Sequence, residues 1–376
     1  MYERVGLLIA MMTMEDMSDF YPRDVSRILW AYATANIMHG PLFAQIGFLL
    51  YDVDHFCEFK ANDFSTIVWS YSTMKLNNPA VFKAIGEAIF GGVGGMMPFF
   101  APQDISDLVW AFSTGNVTHP AMFKRIGDEV AGLNDDDLKQ FTPRDTSTIL
   151  WAYATANNAH GSLFLRFGDV LADQDCLDSF ESHDFFKLIW AYAVADVDLP
   201  SVFDEDFLRT RLGSLYEMSS EEMSMLFQWH LWRTEEHSST GLPRMFQQQC
   251  YDAFVSVDKN PKVASHHEEV IEELKFIGMD PQENFLLPSG YRLDAVVQVG
   301  GNKKVGIEIH DYSDFLDYGQ NPKGSIILKQ RQVGAIDNIP VASVTEWDWD
   351  LLCTDRTLKH DYLRNVLKRS HLSNKQ

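Results

Sequence analysis

The stretch FTPRDTSTILWAYATANNAHGSLFLRFGDVL, Phe141 to Leu171, decides how the rest of the chain is read. Pro143 lies just inside the start of a helix, where its missing N–H costs nothing. Asp145 suits the positive end of the same helix's dipole. This helix A runs to the polar residue Asn157, and a second helix, B, follows. Aligning the chain on Trp151 recovers the pattern at Trp30, Trp69, Trp110 and Trp190, with separations of 39, 41, 41 and 39 residues. A phenylalanine stands ten positions before each tryptophan (Phe20, Phe59, Phe100, Phe141, Phe180) and an aspartate six before it (Asp24, Asp63, Asp104, Asp145, Asp184). Two after it comes Tyr32, Tyr71, Phe112, Tyr153 or Tyr192, and thirteen after it Phe43, Phe82, Phe123, Phe164 or Phe203. A period near 40 residues, held in register five times, predicts stacked helix pairs.

The local signals agree from copy to copy. Pro22, Pro102 and Pro143 open the first helices, and Asn36, Asn116, Asn157 or Asp196 closes them. Pro41, Pro79, Pro120 and Pro200 open the second. Gly47, Gly86, Gly127 and Gly168 recur inside helix B, where glycine is intrinsically unfavourable by about 1 kcal/mol, and read as points of close helix contact. Gly6 stands 24 residues before Trp30, the offset that separates Gly86 from Trp110, and Tyr2 takes the place of the helix-B phenylalanine. Met1 to about Met17 is therefore expected to be a second helix whose first helix is missing. A sixth, degenerate unit is expected from Trp229 to Phe254.

At about 100° per residue, three positions of helix A fall within about 40° of one another. Seven before the tryptophan they hold Arg23, Asn62, Gln103, Arg144 and His183; three before it, Arg27, Thr66, Asp107, Thr148 and Lys187; four after it, Thr34, Thr73, Thr114, Thr155 and Val194. The opposite arc is apolar. One polar stripe per repeat, fixed in geometry and variable in identity, is what a modular reader of a polymer needs. A solvated face is the plainer account of the same stripe.

Composition restricts the partners. The hydrophobic fraction is 46%, in keeping with a packed protein, and no apolar run of about 18 residues is present to span a membrane. Cys57, Cys176, Cys250 and Cys353 are scattered, with no C-x-x-C pair, which fits a reducing compartment without structural zinc. The net charge is −22, and Met1 to Cys250 holds 16 basic against 34 acidic residues. Phosphate is repelled by a uniformly acidic surface, so nucleic-acid binding requires the acids to be kept off the binding face.

After about Asp258 the pattern changes. A helix is expected from Val270 to Gly278. LPSGYRLDAVVQVGG and KKVGIEIH read as strands around a Gly300-Gly301 turn, a helix spans Ser325 to Val333, and PVASVTEWDWDLL reads as a strand. The expected layout is a repeat array over 1–254, a linker over 255–265, an α/β module over 266–366 and a tail over 367–376.

Two resemblances follow from these residues. F-x-P-x-D-x-S-x-I-L-W-A-Y-A-T-A-N with its helix B, from about Tyr2 to Phe254, looks like the octotricopeptide repeat of organellar RNA-binding proteins. The strand ending in Glu308, then Phe315, then NPKGSIILKQRQ (Asn321 to Gln332), then VASVTEW (Val341 to Trp347), resembles the RAP domain. That module is common at the C-termini of organellar RNA-processing factors, FAST-kinase-like proteins among them. It departs from the family in EIHDYSDF, where an aspartate–glycine pair usually follows the glutamate.

Together they imply an α-solenoid followed by a small restriction-endonuclease-like module. They also imply single-stranded organellar transcripts as the ligand, and a role in RNA processing, mRNA stability or translation. The expected location is the mitochondrial matrix or the plastid stroma (chloroplast). No arginine-rich transit segment is visible, which fits a chain whose N-terminus was lost. Other RNA-processing proteins are further expected partners; no cofactor, metal, membrane or small-molecule substrate is expected. The stripe residues Arg23, Arg27, Asn62, Thr66, Gln103, Arg144, Thr148, His183 and Lys187 are the candidate RNA contacts in the array. In the module they are Arg292, Lys303, Lys304, Lys323, Lys329 and Arg331.

Two other classes compete. Acidic helical arrays also serve as protein-binding scaffolds. A metal-dependent RNA endonuclease would use Asp294 and Glu308 as the carboxylates, with His310 in the lysine position as base. The GGVGG stretch, Gly91 to Gly95, lacks the lysine–serine ending of a phosphate loop. His266-His267 has no partners at metal-ligand spacing, and no kinase signature is present.

Overall fold

The computed structural model describes residues 1–17, 19–50, 58–76, 78–91, 100–199, 202–203, 212, 218–257, 265–300, 303–317 and 321–373. Cys57, Gly92 to Gly95, Pro200, 258–264 of the expected linker and the last three residues of the expected tail lie outside them. The chain is mostly helical, with a small mixed sheet toward the C-terminus. It divides into two compact units, Met1–Ala191 and Tyr192–Gln376. No helix among the described residues is long and apolar enough to cross a membrane.

In the first unit the helices alternate as the sequence predicts. The second-type helices are α1 (Tyr2–Ala10), α4 (Gly40–Leu49), α6 (Pro79–Phe90), α8 (Pro120–Ala131) and α11 (Gly161–Leu171). The first-type helices are α3 (Pro22–Thr34), α5 (Ala61–Thr73), α7 (Pro102–Thr114), α10 (Pro143–Thr155) and α13 (Ser182–Ala195). Short turns α2 (Met14–Met17), α9 (Asp135–Leu138) and α12 (Gln174–Asp178) precede three of the latter. Like packs on like: α3 on α5, α5 on α7 and α7 on α10; α1 on α4, α6 on α8 and α8 on α11.

Three repeated contacts explain the periodic residues. The aspartate six before each tryptophan does more than face a helix dipole. Asp63, Asp104 and Asp145 accept the N-cap amides of Lys60 (3.1 Å), Ala101 (3.0 Å) and Thr142 (3.1 Å). With its other oxygen each accepts a serine hydroxyl from the preceding first helix: Ser26 to Asp63 (2.7 Å), Ser65 to Asp104 (3.3 Å) and Ser106 to Asp145 (3.1 Å). Ser147 donates likewise to Asp184 (3.1 Å). A bond to a charged group of this kind contributes about 1.5–3 kcal/mol.

The second contact is the ring two after the tryptophan. It meets the preceding second helix edge-on, with centroids 5.1 Å apart for Tyr2–Tyr32, Phe43–Tyr71 and Phe82–Phe112 and 5.0 Å for Phe123–Tyr153. The tyrosine hydroxyls donate to the carbonyls of Tyr2 (2.5 Å), Phe43 (2.6 Å) and Phe123 (2.7 Å). Tyr2 thus stands to Tyr32 as Phe43 stands to Tyr71.

The third contact accounts for the helix-B glycines. The N-caps of the second helices are His39, Asn78, His119 and His160, which accept from Leu42 (3.1 Å), Val81 (3.4 Å), Met122 (3.1 Å) and Leu163 (3.2 Å). Each cap lies on the glycine of the preceding second helix, where a Cβ would come within 2.6 Å of His39, 2.8 Å of Asn78, 2.4 Å of His119 and 2.7 Å of His160. The first helices close on a left-handed residue: Asn36 (φ 52°), Lys75 (54°), Asn116 (56°), Asn157 (49°) and Asp196 (57°).

The second unit begins within α13. It holds α14 (Ser220–Leu231), a π-helical turn over Trp232–Glu236, α15 (Arg244–Val257) and α16 (His267–Phe276). The four-stranded sheet follows in the order β1-β2-β3-β6, from β1 (Gln282–Leu286), β2 (Arg292–Val299), β3 (Lys303–His310) and β6 (Val341–Thr345). β1, β2 and β3 run antiparallel, and β6 pairs with β3 in parallel. A small ladder joins β4 (Phe315–Leu316) to β5 (Asn321–Pro322). The last helices are α17 (Gly324–Gln332), α18 (Glu346–Leu351) and α19 (Arg356–Ser373).

Val270 and Leu274 of α16, and Leu363 and Leu367 of α19, close over Ala295, Ile307 and Val344 of the sheet. The sequence reading is corrected in PVASVTEWDWDLL: the strand ends at Thr345, and EWDWDL is helical, with Thr345 Oγ1 2.9 Å from Asp348 and Trp349 buried. β1 and α19 had no counterpart in that reading. The end of α13, α14 and the π-helical turn are joined to α17 by a polar clamp. Arg331 of α17 pairs with Glu236 (2.6 Å) and donates to the carbonyls of Val194 (3.1 Å) and Ala193 (2.5 Å). Gln332 donates to the Gln228 carbonyl (2.8 Å) and accepts from Tyr291 (2.7 Å).

Candidate nucleic-acid interface

The stripe of the first helices is open to solvent. Seven before the tryptophan, Arg23, Asn62, Gln103, Arg144 and His183 are all exposed. Three before it, Arg27 is exposed, while Thr66, Asp107, Thr148 and Lys187 are half-buried. Four after it, Thr34 is exposed, Thr73, Thr114 and Thr155 are half-buried, and Val194 is buried. Thr114 turns its hydroxyl back on the Trp110 carbonyl (2.7 Å); those of Thr73 and Thr155 are buried without a hydrogen-bond partner.

The tryptophans belong to this face too. At 100° per residue each lies about 20° from the residue seven before it and about 40° from the residue four after it. Trp30 is 50% exposed, and Trp69, Trp110 and Trp151 are half-buried; only Trp190 of the five is buried, at 6%. In the sequence these rings mark the register of the repeat, and the angular arithmetic that gives the polar columns also puts them at the stripe's edge. The ammonium of Lys187 stands 5.9 Å over the Trp151 ring, one helix along.

Charge on this face departs from that of the chain. Its first two columns carry Arg23, Arg27, Arg144 and Lys187 against one carboxylate, Asp107. The other acids of the five first helices are the aspartates six before each tryptophan, about 100° round the helix from the residue seven before it and about 60° from the residue three before it. Glu87, Asp128, Glu129 and Asp169 lie on second helices, and Asp135, Asp136 and Asp137 on a connecting turn. Burial pushes the Asp107 carboxyl up to about 6, with Arg144 opposing. Burial also lowers Lys187, against the pull of Asp184 and with the help of Arg144.

The C-terminal candidates divide differently. Lys303 and Lys304 are exposed at the start of β3, with Lys304 5.2 Å over the Phe285 ring. Lys323, half-buried, stands at the N-terminal boundary of α17, and Arg292 donates to Asn284 (3.3 Å). Lys329 and Arg331 are engaged inside the unit, Lys329 with Glu308 at 2.8 Å and Arg331 in the clamp.

Of the candidate acids, Glu308 is buried and its carboxyl is raised by that burial, with Lys329 opposing and Asp294 reinforcing. One of its oxygens has no hydrogen-bond partner. Asp294 accepts the Ile309 amide (2.7 Å). His310 is buried between Asp314 (3.3 Å) and Ser343 (3.3 Å). Among the described residues no group of three or more His, Cys, Asp and Glu side chains is placed to hold a metal ion. No family model matches the chain, and no curated protein matches it.

Proposed function

We propose that the chain is a single-stranded RNA-binding protein of organellar RNA metabolism. In this reading it is an octotricopeptide-like solenoid followed by a RAP-like, restriction-endonuclease-like module. The observation that supports it is the segregation of charge: the first-helix face collects four cations against one carboxylate, Asp107, while Asp63, Asp104, Asp145 and Asp184 are engaged in inter-helix bonds. The array supplies length and sequence preference, and Lys303 and Lys304 add phosphate contacts in the second unit. The mitochondrial or plastid location and the transcript-processing role rest on the two resemblances.

The test is a salt titration of binding to a random single-stranded RNA pool, with and without magnesium, following retention and cleavage. Expected is salt-sensitive retention without cleavage. Replacing Arg23, Arg27, Arg144 and Lys187 with glutamine flattens the salt slope by about 0.7 for each phosphate left without its cation. No retention even at low salt sinks the reading and moves the protein-scaffold alternative forward. Magnesium-dependent cleavage lost in Asp294→Ala or Glu308→Ala would establish the endonuclease instead.

A further inference from the structure

We propose that the exposed tryptophans of the first helices are stacking platforms for unpaired RNA bases, one base to a repeat, at Trp30, Trp69, Trp110 and Trp151. The inference rests on the RNA reading and adds its recognition mode. This chain can bury tryptophan: Trp229, Trp232 and Trp349 are all fully enclosed. The repeat tryptophan is instead left half-open on four successive helices, at one edge of the polar stripe and about 20° from its nearest column. A ring needed only for the core would face the apolar arc, where Leu29, Val68, Val109 and Leu150 are buried one position earlier.

The occupant follows from spacing and charge. Packed helices stand about 8–10 Å apart, whereas bases within a strand stack about 3.4 Å apart. A continuous stack therefore cannot set consecutive bases on consecutive rings, and a duplex cannot open its base faces to them. A strand with its bases splayed can, and aromatic side chains take such bases irrespective of identity. The residues seven and three before each ring then meet base edges and phosphates: Arg23 with Arg27, Asn62 with Thr66, Gln103 with Asp107, Arg144 with Thr148. Lys187 over the Trp151 ring shows that a cation of the next helix reaches the platform. The cations of this face suit a polyanion, although the chain as a whole is acidic.

The experiment uses the full chain and an oligoadenosine RNA carrying one 2-aminopurine, with tryptophan and 2-aminopurine fluorescence read during titration. Expected is quenching of both on binding. Trp69→Leu and Trp110→Leu each weaken binding roughly tenfold, with the dependence on salt unchanged, and Trp69→Phe recovers part of the loss. Wild-type affinity and quenching in the Trp69→Leu/Trp110→Leu double variant overturn the stacking proposal while leaving the RNA reading intact. Where circular dichroism shows that the leucine variants have unfolded, the wild type and Trp69→Phe decide: binding without any quenching overturns it. A wild type that binds no RNA removes the RNA reading, and the platform with it.

Discussion

Asp107 shows how one side chain can be set against its surroundings. It is the sole carboxylate among the residues seven and three before the tryptophans, and burial lifts it from 3.8 to about 6. For an acid raised in the folded state, the stabilising contribution is complete below the unfolded value, near pH 4, and is lost as pH rises through about 6. Asp107→Asn removes this dependence. The difference in unfolding free energy between the variant and the native chain, from urea titrations, should therefore shift in the variant's favour between about pH 4 and pH 7, by on the order of 1 kcal/mol after solvent screening. A difference constant with pH refutes the assignment. The same substitution removes a negative charge from the proposed binding face, so RNA affinity at pH 7 should rise by about threefold; weaker binding would count against this face.

At the scale of the helix, glycine and N-cap act as one device. Gly86→Ala sets two effects against each other. Alanine is the better helix former by about 1 kcal/mol, but its Cβ would lie 2.4 Å from His119, the residue that caps α8. Displacing the cap costs about 1–2 kcal/mol in addition to local strain. Gly86→Ala should lower the melting temperature, and less so when His119 is also replaced by alanine; a higher melting temperature in the single variant would show that the histidine yields freely. This device was half legible in the sequence. The glycines announced close contact, but their partner is a residue of the next repeat, nine after its tryptophan. A register of aligned columns shows that His39, Asn78, His119 and His160 recur, not that they meet a glycine more than 30 residues earlier. The Ser26–Asp63 bond was hidden for the same reason: each residue has a sufficient local explanation, and the bond joins different helices.

Over the molecule as a whole, net charge is a poor guide to any one face. At a screening length of about 8 Å, acids on second helices and connecting turns act weakly on a strand lying along the first helices. Neutralising Glu87, Asp128 and Asp135 to glutamine or asparagine should change RNA affinity by less than about twofold, despite adding three positive units; a large gain would mean that the total charge governs. The repeat period, the helix limits and the polar stripe were legible because they are periodic and local. The helical turn after Thr345 and the clamp around Arg331 were not, because they depend on contacts between segments far apart in sequence. The serine–aspartate bond has a consequence for how such a chain can change. Each link runs from one copy to its successor, so the array has a head and a tail, and a copy excised or duplicated whole leaves a serine facing the next aspartate. Insertions of part of a period, or a copy spliced in reverse, would break that chain of donors; evolution and engineering alike are held to whole units added in a single direction.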